Sequence, residues 1–314
     1  MSTFLNSVSS VTVILLLTAA GYYLAWRGYL KEEGKNFLSK LLLRLCIPCL
    51  VISNFQAYFT VESLREMSTG LLVSFLLLII QTLFALLAGK LLRLSRKQSG
   101  VFLVMSAYCN SMFVGYPMCR QIFGDACTVY VMVYYLASMV LLQVVGNGAI
   151  RYSGGSGKLF SKDIFLKILT TPAILAVAAA SLLMLFDVRL PEIVLSAAKY
   201  MSNCVTPLSL IMTGYIIYTI GLKDLRFDKT LSVSLLLRFL LAPALTLLSC
   251  RLFGIEGLFR SVLVVMSAMP SPAQTVVFAS EYGADEALAA RGVAMSTLLN
   301  FAVIPLLMLL LNTL

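Results

Sequence analysis

An all-helical polytopic membrane protein with ten transmembrane helices is the fold class this sequence predicts, and three observations carry the prediction. Hydrophobic residues make up 60% of the 314 and charged residues 12%, with a mean hydropathy of +0.94, beyond what a soluble globular domain tolerates. Apolar stretches of about 18 residues or more recur along the whole length, each long enough to cross a hydrocarbon core of about 30 Å. The Lys and Arg residues between these stretches fall into two unequal classes, which is the mark of membrane topology.

The first apolar run, 4–26, has no Lys or Arg before it and no small-residue cleavage site followed by a polar mature chain. It reads as a retained helix rather than a signal peptide. Further spans are expected at 37–56, 70–92, 101–123, 127–149, 164–186, 195–220, 231–253, 258–281 and 290–313. The loops and span ends after odd-numbered spans hold fifteen Lys and Arg, and those after even-numbered spans hold six. The positive-inside rule then puts the odd loops in the cytoplasm and both termini outside the cell membrane.

The longest polar connection, 151–163, is expected as a cytoplasmic linker between halves 1–150 and 164–314 of five spans each. An odd number of spans obliges the second half to enter the membrane from the opposite side. The halves also match in sequence. Val-Met-Ser-Ala recurs at 104–107 and 265–268, Phe123-Gly124-Asp125 is answered by Tyr282-Gly283-Ala284, and Pro48 by Pro207, at offsets of 161, 159 and 159. Three matches in order at nearly one offset indicate an internal duplication with inverted topology.

Several chemistries are excluded or disfavoured. The chain has no His, so neither a Ser-His-Asp triad nor an HExxH zinc site can form, and no GxSxG elbow occurs. Cys46-Ile47-Pro48-Cys49 matches CxxC without a βαβ context or a second CxxC, and the seven cysteines sit in apolar segments, where an unreactive buried thiol is expected. The stretch "SGGSGK" at 153–158 has Tyr152 in place of the first Walker glycine and reads as a linker. No metal and no cofactor are expected. The net charge of +10 lies in loops, so it signals topology rather than nucleic acid.

The informative segments are two spans that interrupt themselves. In span nine, "SAMPSPAQT" places Pro270 and Pro272 two residues apart, and each removes a backbone donor and clashes with the preceding turn. In span four the corresponding stretch combines Asn110, Ser111, Gly115 and Pro117. Backbone groups freed at membrane depth must line a cavity or pack in protein. Two such breaks at equivalent places predict two discontinuous helices crossing near the midplane, with half-helix N-termini that suit an anionic ligand group. The expected binding residues are Asn110, Ser111, Gly115 and Pro117 with Pro270, Ser271, Pro272, Gln274 and Thr275. Asn300 joins them because span ten directly follows the second break.

The pattern Asn-x-x-x-x-Gly-x-Pro of span four, the "AMPSPAQ" of span nine and its "YGAD" ending resemble the auxin efflux carrier family, in its short-loop bacterial branch. The resemblance covers essentially the whole chain. It implies a crossover transport core from spans 3–5 and 8–10, and a scaffold from spans 1, 2, 6 and 7 that often forms a homodimer. It also implies elevator-type alternating access and substrates such as malate, malonate or, in plants, indole acetic acid. The long cytoplasmic loop of the plant carriers is missing here. On this reading the partners are a small organic anion, the lipid bilayer and a second copy of the chain, with no nucleic acid.

Ionisable residues inside spans complete the expectations. Arg238, about eight residues into span eight, would either give positive potential for a substrate carboxylate or pair with an acid of span nine. Lys40 and Arg44, four apart in span two, are expected to snorkel to the interface. Glu281, Asp285 and Glu286 are expected to cap and solvate the end of span nine. Asn54, Gln81, Gln143, Asn147 and Asn203 are assigned to interhelical hydrogen bonds, and Tyr134 and Tyr135 to packing or ligand stacking. With no mid-span carboxylate, no side-chain proton relay is visible. Two rivals stand beside an efflux carrier: a sodium-coupled organic-anion symporter of the bile-acid carrier type, and a membrane-embedded anion sensor.

Overall fold

The computed structural model describes residues 2–58, 61–155, 170–186, 188–221 and 226–311, and all regular structure among them is helical. The expected linker beyond residue 155, the start of span six, and Lys158, Lys162, Lys167 and Lys223 lie outside the described residues. Seven helical runs among those described are long and apolar enough to cross a membrane: Glu32–Asn54, Met67–Leu91, Arg96–Phe123, Asp125–Ser153, Glu192–Ile220, Lys229–Leu252 and Glu286–Leu311. Three shorter apolar helices, Val11–Trp26, Ile174–Leu183 and Gly257–Ser267, fall where spans one, six and nine are expected. The chain is a multi-pass membrane protein.

In chain order, α1 is Ser2–Trp26, α2 Glu32–Leu41, α3 Ile47–Tyr58, α4 Val61–Leu91, α5 Arg96–Ala107, α6 Tyr116–Phe123, α7 Thr128–Leu141 and α8 Asn147–Ser153. The second half holds α9 (Pro172–Leu185), α10 (Glu192–Asn203), α11 (Val205–Ile220), α12 (Lys229–Leu236), α13 (Ala242–Leu252), α14 (Gly257–Ser267), α15 (Gln274–Tyr282) and α16 (Glu286–Leu311).

Four π-helical turns join some of these pieces, and three have one cause. A proline cannot donate to the carbonyl four residues back, and its ring clashes with that carbonyl. The turns Leu42–Cys46, Ser111–Gly115 and Leu237–Leu241 each end two residues before a proline, Pro48, Pro117 and Pro243. The affected carbonyls belong to Arg44, Phe113 and Phe239, each inside its turn, so the helix widens there instead of ending. One inserted residue also turns the neighbouring side chains out of the α register. The fourth turn, Leu142–Gly146, precedes no proline, and its cause is not evident.

Two sets of helices pack mainly among themselves. In one, α1 lies along α11, and α3 along α9 and α10; in the other, α4 packs on α7 and α13, α5 on α8, α13 on α14, and α15 on α16. The α1–α11 contact is backbone to backbone. A Cβ at Gly21 would lie 2.1 Å from the Ile211 carbonyl oxygen, and one at Gly214 would lie 2.0 Å from that of Thr18. Small residues that admit such an approach are how membrane helices associate without a hydrophobic drive. Gly21→Val is therefore expected to abolish the monodisperse peak in detergent size-exclusion chromatography, whereas Ala20→Val, one residue away, should leave it intact.

Hydrogen bonds and an ion pair tie several loops to one another. Asp285 N–H donates to the Lys97 carbonyl at 3.2 Å and Arg96 to that of Tyr152 at 3.1 Å, while Arg291 pairs with Asp228 at 3.1 Å. These contacts gather the loops after spans three, five, seven and nine at one end. At the other end Arg120 pairs with Asp125 at 2.6 Å and donates to Asn203 at 3.0 Å.

Candidate functional site: two interrupted helices and the cavity beneath them

Both interruptions appear where the prolines and Asn110 place them. Helix α5 ends at Ala107, and Tyr108 turns extended at φ −113° and ψ 149°. The next helical residue is Ser111, with Asn110 as N-cap: its side-chain oxygen accepts the Phe113 N–H at 3.2 Å. In the second half, α14 ends at Ser267, the two prolines keep 270–273 out of a helix, and α15 starts at Gln274. Each half-helix pair closes on a glycine of positive φ, Gly124 at 76° and Gly283 at 73°, which explains the repeated aromatic-Gly ending.

The breaks touch. The Asn110 N–H donates to the Pro270 carbonyl at 2.7 Å, so one interruption supplies the partner the other lost. Side chains satisfy what remains. Ser271 donates its hydroxyl to the Met105 carbonyl at 3.1 Å and its N–H to the Ser296 hydroxyl at 3.0 Å. Asn300 donates to the Ala268 carbonyl at 2.9 Å, and Thr275 to that of Pro272 at 2.6 Å.

Arg238 is 0% exposed and completes this lattice. Its Nε and Nη2 donate to the Met105 carbonyl at 3.3 and 3.2 Å, and Nη2 also reaches the Tyr108 carbonyl. Of the two expected roles, the pairing with an acid is not seen: among the described residues no acid pairs with it. The guanidinium instead holds the C-terminal carbonyls of α5, where the helix dipole is negative and a cation is favoured.

Beneath the breaks lies a cavity of about 300 Å³. Asn110, Ser111 and Phe113 bring one half-helix N-terminus to its wall, Pro272 and Gln274 bring the other, and Arg44, on the turn after α2, lines it as well. Tyr135, Ser138 and Gln143 add polar surface, and among the described residues no acid contributes. Thr171 and Pro172, at the start of α9, extend its wall toward the end where the odd loops gather. A second cavity of about 280 Å³ shares Phe113, Ala273 and Gln274 with the first and is lined also by Glu32, Lys35 and Tyr215.

The expected residues thus separate by position. Asn110, Ser111, Pro272 and Gln274 line the cavity. Pro270, Ser271, Thr275 and Asn300 hold the interrupted backbone from behind. Gly115 faces Met266 and Met269 of the opposite break, at 2.9 and 3.1 Å from where a Cβ would be, and Pro117 is buried beyond it. Of the two adjacent tyrosines, Tyr135 reaches the cavity and Tyr134 is buried elsewhere. Asp285 caps α16 by accepting the Leu288 N–H at 2.9 Å, as expected. Arg44, expected at the interface, also lines the cavity. The signal was present in the sequence as an arginine four residues before a mid-span proline, which marks a π turn.

Residues 6–308 match the model of a family described as membrane transport protein. An uncharacterized transporter of Methanocaldococcus jannaschii is 26% identical over 302 residues, covering 94% of this chain and 96% of the relative. An uncharacterized transporter of Methanothermobacter thermautotrophicus is 27% identical over 308 residues, covering 96% of this chain and 98% of that relative.

Proposed function

The chain belongs to the membrane transport protein family of auxin efflux carriers, a family of transporters rather than enzymes, and from that premise we propose that it is a secondary transporter, an efflux carrier, of small organic anions such as carboxylic acids. One observation carries the anionic substrate: two half-helix N-termini and Arg44 line one cavity, and among the described residues no acid does. Each N-terminus presents about half a positive charge, and the arginine adds a full one. A volume of about 300 Å³ suits a molecule of carboxylic-acid size.

The movement proposed is elevator-type alternating access. The core is assigned to spans 3–5 and 8–10 and the scaffold to spans 1, 2, 6 and 7, in a ten-span, five-plus-five inverted repeat. Two packing relations support this. The core and scaffold spans are those that pack mainly among themselves. The span one–span seven contact, α1 on α11, and the span six–span two contact, α9 on α3, exchange with one another when the halves are swapped. With the odd loops assigned to the cytoplasm, the cavity belongs to an inward-facing state, and Arg120 with Asn203 closes the far side.

The test is uptake of labelled malate, malonate, lactate and indole acetate into proteoliposomes under imposed proton and sodium gradients. Movement of one acid, saturable and absent from empty vesicles, is the expected result. Stimulation by a sodium gradient would identify the symporter rival instead, and binding without movement would identify a sensor.

A further inference from the structure

Arg44 and Arg238 both lie near the interrupted helices, and they differ in occupation. Arg238 is held by the carbonyls of Met105 and Tyr108. Among the described residues, Arg44 takes part in no hydrogen bond or ion pair. It lies seven residues into the expected span 37–56, about 10 Å along it at the α-helical rise. A guanidinium at that depth is costly unless it faces water or a counterion. The π turn Leu42–Cys46 carries it, and Arg44 lines the cavity while Lys40, one turn earlier, does not. Among the described residues no acid lines the cavity, so the position beside Arg44 is open to an anion from outside the protein.

Resting on the transport reading above, we infer that Arg44 is the residue that binds the substrate carboxylate, and that it does so in one conformation only. The walls that meet at the cavity belong to different bodies. Asn110, Ser111 and Gln274 sit on the interrupted helices, whereas the turn bearing Arg44 packs against α2, α3, α9, α10 and α11. When the core slides, the polar groups at the breaks travel with the anion and Arg44 stays behind. The two sides of the membrane therefore see different sites. From the odd-loop side the carboxylate meets two helix N-termini and a guanidinium fork; from the other side it meets the N-termini alone. Charge-assisted bonds to a guanidinium are about twice as strong as neutral ones, so Arg44 fixes a higher affinity on the side from which an efflux carrier loads.

The experiment measures KM for labelled malate and lactate from each face of proteoliposomes of known orientation, for the wild type, Arg44→Gln and Arg44→Lys. The expected result for Arg44→Gln is a KM raised about 10- to 100-fold at the odd-loop face and unchanged within about twofold at the other. Arg44→Lys, which keeps the charge without the fork, should recover part of that loss and certify the fold. An equal rise at both faces, or no change at either, overturns the inference. If the wild type moves neither acid, the transport reading fails separately, and equilibrium binding of malate in detergent decides for Arg44. Binding weakened tenfold or more in Arg44→Gln retains it as the carboxylate ligand; equal or absent binding removes it.

Discussion

Asn110→Asp should lower organic-acid uptake by about 100-fold or more while leaving thermal stability within about 0.5 kcal/mol of the wild type. Asn110 combines two functions that this substitution separates. Its side-chain oxygen caps the half-helix by accepting the Phe113 N–H at 3.2 Å, and its main-chain N–H binds the Pro270 carbonyl at 2.7 Å. Aspartate caps as well as asparagine and leaves the main chain alone, so the interrupted backbone is preserved. What changes is the cavity wall. Among the described residues no hydrogen bond uses the amide nitrogen of Asn110, which leaves it as a donor for a ligand. The substitution replaces that donor with a negative charge at the place the reading assigns to a carboxylate. Asn110→Ala makes the complementary change: it removes the donor and the cap together, costing about 1 kcal/mol of stability and about tenfold or more of uptake. Melting curves and initial uptake rates on the same preparations check both. Wild-type uptake by Asn110→Asp would reduce Asn110 to a cap.

The architecture was legible in the sequence because apolar length and proline are written in it directly. Seven of the expected spans coincide with long apolar helices among the described residues, and the interruptions fall at Asn110 and at Pro270-Pro272. The repeated aromatic-Gly ending was legible too, since Gly124 and Gly283 have the same task at the same place in each half. The division of labour at the breaks was not. Ser271, Thr275 and Asn300 look like ligand donors in sequence, but their partners are the carbonyls of Met105, Pro272 and Ala268, and backbone acceptors carry no signature in side-chain identity. The same reason hid the partners of Arg238. Arg44 was missed on different grounds, because an α-helical register taken through Leu42–Cys46 ignores the residue that Pro48 inserts. A proline read as widening the preceding turn, instead of kinking the helix, turns Arg44 toward the cavity.

Arg238→Met is expected to destabilise the protein by about 2–3 kcal/mol and to reduce uptake by more than tenfold. Two terms oppose one another. Burying a guanidinium without a counterion costs several kcal/mol, so an apolar side chain of similar length relieves that cost. Against this, the substitution leaves the Tyr108 carbonyl without the donor that reaches it, and leaves the Met105 carbonyl with Ser271 alone. An orphaned buried acceptor costs about 1–3 kcal/mol, and the last carbonyls of α5 also lose a cation at the negative end of the dipole. The second set prevails because these carbonyls belong to the segment that positions Asn110, two residues on from Tyr108. A loosened α5 terminus moves the cap, the bond to Pro270 and the cavity wall together. Arg238→Lys retains the charge but not a fork able to hold Met105 and Tyr108 at once, so it should fall between Met and the wild type in both melting temperature and uptake. If lysine restores uptake fully while stability stays low, the charge of Arg238 acts on the substrate at long range; if both recover in parallel, its work is to hold the break.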